Sequence, residues 1–201
     1  ALANRGVGYV ELRAVDVDPY SPIGITENTA GFLEVLALYC LLQDSPALYA
    51  AEVDVIEQNQ AEVVNRGRAP NAMIREHDQQ IEIETWAHQY LAHMQPLAEV
   101  LNQGTATQLY TDALMVMKRR IDEVDETLSA QVIVDTLKHN GTWSFGSIMA
   151  QQHAESYEQH QLSAETEAYF AGLVQTSLEQ QQQLEQEQSS SFEEYLAAYR
   201  S

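Results

Sequence analysis

One stretch of strand-like alternation stands at the head of a chain that otherwise reads as helix after helix. Over residues 9–14 an extended backbone would turn Tyr9, Glu11 and Arg13 to one side and Val10, Leu12 and Ala14 to the other, because successive side chains in a strand alternate. The second side is apolar and reads as core. A strand by itself is not stable: its N–H and C=O groups need a ladder and its apolar face needs a cover. The sequence that follows offers no nearby partner for it. The neighbours are therefore expected upstream, and the chain, which opens at Ala1 without Met, is expected to be a piece of a longer protein.

The polar side of that strand sets an acceptor-only carboxylate, Glu11, two residues from the planar five-donor cation of Arg13. Two readings stay open on the residues alone. The pair can bridge on a solvated face, where an exposed ion pair adds little, or it can hold a metal ion and a phosphate together.

From Glu27 onward the period is helical. Residues 27–43 are almost wholly apolar, which predicts a central, buried helix, and Cys40 in its apolar middle is expected to be a buried structural thiol. Ser45 as cap and Pro46 at the first helical position predict a second helix to about Asn65, stopped at Gly67. Residues 71–84 read either as two short strands around Ile74 and Ile81 or as an irregular excursion. Helical spacing then predicts helices over 85–102, ended by Gly104 with Pro96 as a kink point, over 105–124, over 129–139 before Asn140-Gly141, and over 144–160. A long polar helix starts at Ser163 and ends in a Gln- and Glu-rich run. Ser191 and Glu194 make a capping box for a last helix carrying Phe192, Tyr195, Leu196 and Tyr199.

Charge excludes whole classes of partner. Thirty acidic residues against ten basic ones give a net charge of −20, and only Lys118 and Lys138 are lysine. Nucleic acid and anionic membrane surfaces are repelled by such a chain, no basic stripe offsets this, and no apolar run approaches the ~20 residues of a spanning helix. A soluble protein with a salt-tolerant surface is expected. The single basic cluster, Lys118-Arg119-Arg120, reads as a solvated face with acidic partners such as Asp122 and Glu123, or as a contact with an absent part of the protein. One cysteine permits no internal disulfide and no cysteine metal cage, and a reducing cytoplasmic location is the natural expectation. The six histidines show no metal-ligand spacing: His88 and His93 fall on different helix faces, and His77 cannot be placed.

Glu11-Leu12-Arg13, then Asp16, Pro19 and Ser21-Pro22-Ile23-Gly24, together resemble a segment of the gammaproteobacterial type of glutamate-cysteine ligase. Gly67-Arg68-Ala69-Pro70 and Leu128-Ser129-Ala130 are similar to two further, shorter motifs of that family. Against the length of such an enzyme the chain looks like its C-terminal part. The resemblance implies an ATP-dependent ligase that phosphorylates the γ-carboxylate of glutamate and lets the amine of cysteine displace phosphate, the first step of glutathione biosynthesis. It implies Glu11 as a Mg2+ ligand, and Arg13 as the catalytic and ATP-binding group that holds the transferred phosphoryl. Asp16 matches too, and shaping of the following turn is its expected role.

The implied fold is mainly α: a helical C-terminal portion with one or a few strands completing an antiparallel sheet of the glutamine synthetase-like carboxylate-amine ligase fold. Residues 1–26 would form the active-site strand and Pro-rich turn, and residues 27–201 a helical buttress in one compact unit with it. The expected partners are glutamate, cysteine, ATP and the remainder of the same enzyme chain, without which the piece would be inactive. Two other functions stay open. One is a helical interaction or regulatory module in which Glu11 and Arg13 pair only structurally, and the other is a carboxylate-amine ligase of the same superfamily with a different amine.

Overall fold

A computed structural model describes residues 6–76, 79–187 and 191–200. Among these residues it holds eight α-helices and one two-stranded sheet, the mainly helical class expected. Contacts divide the chain into two units, Ala1–His153 and Ala154–Ser201.

The core of the first unit is a three-helix packing of α1 (Glu27–Leu42), α3 (Ile83–Gln103) and α4 (Leu109–Asp122). Val35 from α1, Leu91, Met94 and Ala98 from α3, and Tyr110 and Leu114 from α4 are its buried members. Gly31 lets α1 approach α4: a Cβ there would lie 3.2 Å from Leu109 Cγ and 3.6 Å from Ala113 Cβ. The expectation of a wholly buried first helix is corrected. The side carrying Gly31, Phe32, Val35, Leu36 and Tyr39 packs inward, while Leu41 and Leu42 remain exposed. Cys40 lies on the open side and is exposed, against the expectation of burial. An all-apolar helix carries no sequence signal for which side will find a neighbour.

Helix α2 (Ala50–Arg66) starts four residues later than Pro46 suggests. The Glu52 carboxylate reaches back to the Tyr49 N–H at 2.8 Å and takes the capping part foreseen for Ser45. Gly67 ends the helix as expected. Residues 73–82 adopt the two-strand alternative, β1 (Met73–Glu76) and β2 (Gln79–Glu82), antiparallel with Ile74 opposite Ile81. His77 and Asp78 lie outside the described residues. Asn59 ties α2 to this hairpin by pairing with both backbone groups of Arg75, at 2.6 and 2.8 Å. Trp86 and Tyr90 of α3 both donate to the Glu76 carboxylate, at 3.1 and 3.0 Å.

Helix α3 runs on through Pro96, which is exposed. Helix α4 begins at Leu109 rather than Thr105, because a side chain from the preceding helix supplies its cap. Buried Asn102 accepts from the Tyr110 N–H at 3.1 Å and donates to Thr111 and Gln108. Helices α5 (Leu128–Lys138) and α6 (Thr142–Gln159) flank a tight reversal in which Asn140 and Gly141 have φ of 59° and 137°.

The second unit contains the end of α6 with α7 (Ala164–Glu187) and α8 (Phe192–Arg200). Ser163 caps α7 through the Thr166 N–H. Ser191 and Glu194 form the foreseen capping box, with reciprocal bonds of 3.3 and 2.8 Å.

Candidate active site

The leading segment does not form the strand its alternation suggests. Residues 6–17 are exposed and carry no ladder, and the apolar side foreseen as core stands in solvent, with Val10 80% and Leu12 52% exposed. Among the described residues the sheet is the β1–β2 hairpin alone, and residues 6–17 do not pair with it.

Glu11 and Arg13 do come together. The Arg13 guanidinium donates to Glu11 Oε2 at 2.9 Å, with the arginine side chain 82% and the glutamate 56% exposed. Parity places both on one side, as expected of positions two apart. The bridge occupies one carboxylate oxygen and one nitrogen, so among the described residues Glu11 Oε1 and most of the guanidinium donors are uncommitted. A hard cation such as Mg2+ takes oxygen ligands and is commonly held by one or two carboxylates plus substrate phosphates, so Glu11 fits as one ligand of several. The remaining Arg13 donors fit a phosphoryl group.

The segment is anchored at its far end by a rigid turn. Asp18 is buried, its N–H donates to the Gly24 carbonyl at 2.9 Å, and its carboxylate accepts from the Tyr20 N–H at 2.9 Å. Gly24 has φ of 76°, a region that suits glycine, and Val17 closes over it. The turn is bolted to α5 and α6: Tyr20 donates its hydroxyl to Asp135 at 2.7 Å, its ring meets Phe145, and His153 Nε2 donates to the Pro19 carbonyl at 2.7 Å. Burial first, then the hydrogen bond and the negative charge of Asp135, push the Tyr20 phenol up to about 12. Asp18 performs the turn-shaping foreseen for Asp16, which makes no bond among the described residues.

Two groupings were not legible in the sequence. Glu84 and His88, one turn apart on α3, meet Asp122 of α4, with donor atoms all within 4.8 Å of one another. His88 Nε2 lies 2.8 Å from Asp122, and Lys118 pairs with the other Asp122 oxygen and holds that carboxyl below its usual range. A lysine already neutralising Asp122 makes this a surface charge network. The second grouping surrounds Arg120, the one inward-facing member of the basic cluster. It lines one hollow with the Gly67–Ala72 loop and another with Ala14, Val15, Asp16 and Asp18. The helical spacing of Glu84 and His88 was visible, but pairings between helices depend on packing that no local spacing encodes.

A family model described as glutamate-cysteine ligase matches residues 1–63. The chain is 35% identical over 200 residues to the glutamate-cysteine ligase of Pseudomonas fluorescens, covering 99% of this chain and 38% of that protein. It is 33% identical over 200 residues to that of Pseudomonas aeruginosa, with the same coverage. The crystal structure of glutamate-cysteine ligase from Francisella tularensis in complex with AMP matches with a TM-score of 0.82 at 27% identity, covering 99% of this chain and 39% of that one. The chain thus spans about two fifths of the length of the curated relatives it matches. Among the described residues no helix is long and apolar enough to cross a membrane.

Proposed function

We propose that the chain, related over 99% of its length to about two fifths of a glutamate-cysteine ligase, belongs to that family and is the C-terminal part of an ATP-dependent ligase joining the γ-carboxylate of glutamate to the amine of cysteine. The observation that carries this reading is a likeness of sequence and fold that extends over 99% of the chain and is not confined to one motif. The AMP in the Francisella tularensis enzyme supports a nucleotide substrate.

In this reading residues 9–14 supply a strand to a sheet whose other strands belong to the remainder of the enzyme. The exposed backbone and the uncovered Val10 and Leu12 are what such a strand presents before its neighbours are added. The reaction gathers the phosphates of ATP and a carboxylate in one place, and fixed positive charge is the main demand. Arg13 meets it with a planar fork that cannot lose its charge and can grip the transferred phosphoryl in two places. Glu11 supplies one oxygen to Mg2+, which when bound neutralises developing phosphate charge. Transfer activates glutamate as an acyl phosphate, which the amine of cysteine then attacks with release of phosphate. A cytoplasmic location and a place at the first step of glutathione biosynthesis belong to the same reading.

The Glu11–Arg13 bridge favours a second reading, a helical module in which the two residues merely neutralise each other. The test is ATP-dependent ligation by the full-length protein, following phosphate and γ-glutamylcysteine together in wild type and Glu11→Gln. Ligation that collapses in the variant is expected. Phosphate release only with another amine would move the protein elsewhere in the superfamily, and no release with any amine would favour the module.

A further inference from the structure

We propose that Asp16 and Arg120 form an ion pair in the assembled protein, and that this pair fixes which side of residues 9–14 lies against the helical body. Both are then positioning residues for Glu11 and Arg13, a consequence that rests on the ligase reading above.

Three observations lead here. Arg120 is half-buried near the end of α4 and has no carboxylate partner among the described residues, its one polar contact being Met117 Sδ at 3.9 Å. Its neighbours differ: Lys118 pairs with Asp122, and Arg119 lies 3.8 Å from Glu126. Asp16 is likewise unpaired among the described residues, and it lines with Arg120 the same hollow of about 220 Å³, walled by Phe32, Leu33, Met117 and Leu128. Opposite charges facing a partly apolar hollow attract more strongly than they would in open water. Asp18 also lines that hollow, but its carboxylate is already engaged by the Tyr20 N–H.

Parity gives the pair its consequence. In an extended backbone Asp16 shares a side with Ala14, Leu12 and Val10, opposite Arg13 and Glu11. Drawing Asp16 down onto Arg120 lays the apolar side on the helical body and turns Glu11 and Arg13 outward together. A slip of one residue would reverse both. The pair also shortens the lever. The turn holds Asp18, five residues or ~17 Å of extended chain from Arg13, whereas Asp16 is three residues or ~10 Å away.

The test uses the full-length protein with Asp16→Asn, Arg120→Gln and the reversed pair Asp16→Arg with Arg120→Asp. Asn and Gln keep size and remove charge, and unchanged amide protection in α3 reports an intact body. Each single variant is expected to speed hydrogen exchange at residues 10–16 about tenfold, to lower kcat about tenfold and to raise the Mg2+ needed for half-maximal rate. The reversed pair should recover most of each effect. Single variants matching wild type in exchange and rate, or a reversed pair no better than either single, would overturn the proposal. If wild type ligates no amine, the ligase reading fails alone, and the exchange data still decide whether the pair exists.

Discussion

Arg13→Lys keeps the charge and loses the fork, which separates binding an anion from gripping it at two points. On the ligase reading it is expected to lower kcat of the full-length protein by about 10- to 100-fold with a smaller change in KM for ATP, while Glu11→Gln chiefly raises the Mg2+ requirement. Steady-state kinetics across a Mg2+ series reads both, and near-normal values in both variants would remove the pair from the site. Tyr20 offers a pH test of the turn behind them. Its phenol rises from the ordinary 10.0 to about 12 in the folded chain, so the folded state holds that proton more tightly than the unfolded state. The stabilisation is complete below pH ~10 and drains away as pH climbs towards ~12. Denaturant midpoints measured between pH 9 and 12 should therefore fall more steeply in wild type than in Tyr20→Phe. Equal slopes would mean that neither burial nor Asp135 raises the Tyr20 phenol in the folded chain. At this scale the sequence was informative about residue types and silent about partners. Glu11 and Arg13 could be singled out because their spacing is local, whereas Tyr20–Asp135 and His153–Pro19 span 115 and 134 residues.

Helices were legible where punctuation is chemical. Gly67 and Gly104 end α2 and α3 and Asn140-Gly141 follows α5, each where a stop was expected: Asn140 and Gly141 take the positive φ that closes a helix, whereas Gly67 stays right-handed and is suited by the lack of a Cβ that would lie 2.5 Å from the Val63 carbonyl oxygen. Starts were read less well, because a cap can come from elsewhere. Helix α4 begins at Leu109, four residues after the expected Thr105, and its Tyr110 N–H is taken by Asn102 eight positions back. Asn102→Ala should strand that buried N–H, while the Thr111 hydroxyl keeps its bond to the Gln108 carbonyl, and cost about 2 kcal/mol of stability, read as a lower denaturant midpoint at unchanged slope. Asn102→Asp keeps the acceptor and should recover part of the loss. A neutral Asn102→Ala would mean that water replaces the side chain and that α4 caps itself. The leading strand failed for the opposite reason. Its alternation was clear, but a strand is a property of at least two segments, and pattern in one does not make a ladder.

Across the whole molecule, charge outweighs every other surface property. A net −20 with two lysines leaves far more carboxylates than cations to meet them, and the paired cations satisfy few of them. Arg66–Glu62, Lys118–Asp122 and Lys138–Asp135 are local pairs on helix surfaces, where solvent screens the attraction and each adds little. Two opposed effects therefore follow from added salt: it weakens these few attractions and screens a much larger number of repulsions. The screening length falls from ~30 Å at 0.01 M to ~10 Å at 0.1 M and ~3 Å at 1 M, so repulsion spread over the surface fades first and short pairs last. Repulsion should win this balance. Between ~0.01 and ~0.5 M NaCl the unfolding midpoint is expected to rise by about 3–6 °C, equivalent to roughly 1–2 kcal/mol for a chain of this size. KCl should act like NaCl if screening is the cause, since screening depends on ionic strength and not on the identity of the salt. A rise would make the acidic surface a cost that the apolar packing around Val35, Met94 and Leu114 offsets, whereas a midpoint that falls with salt would show that the ion pairs outweigh the net charge.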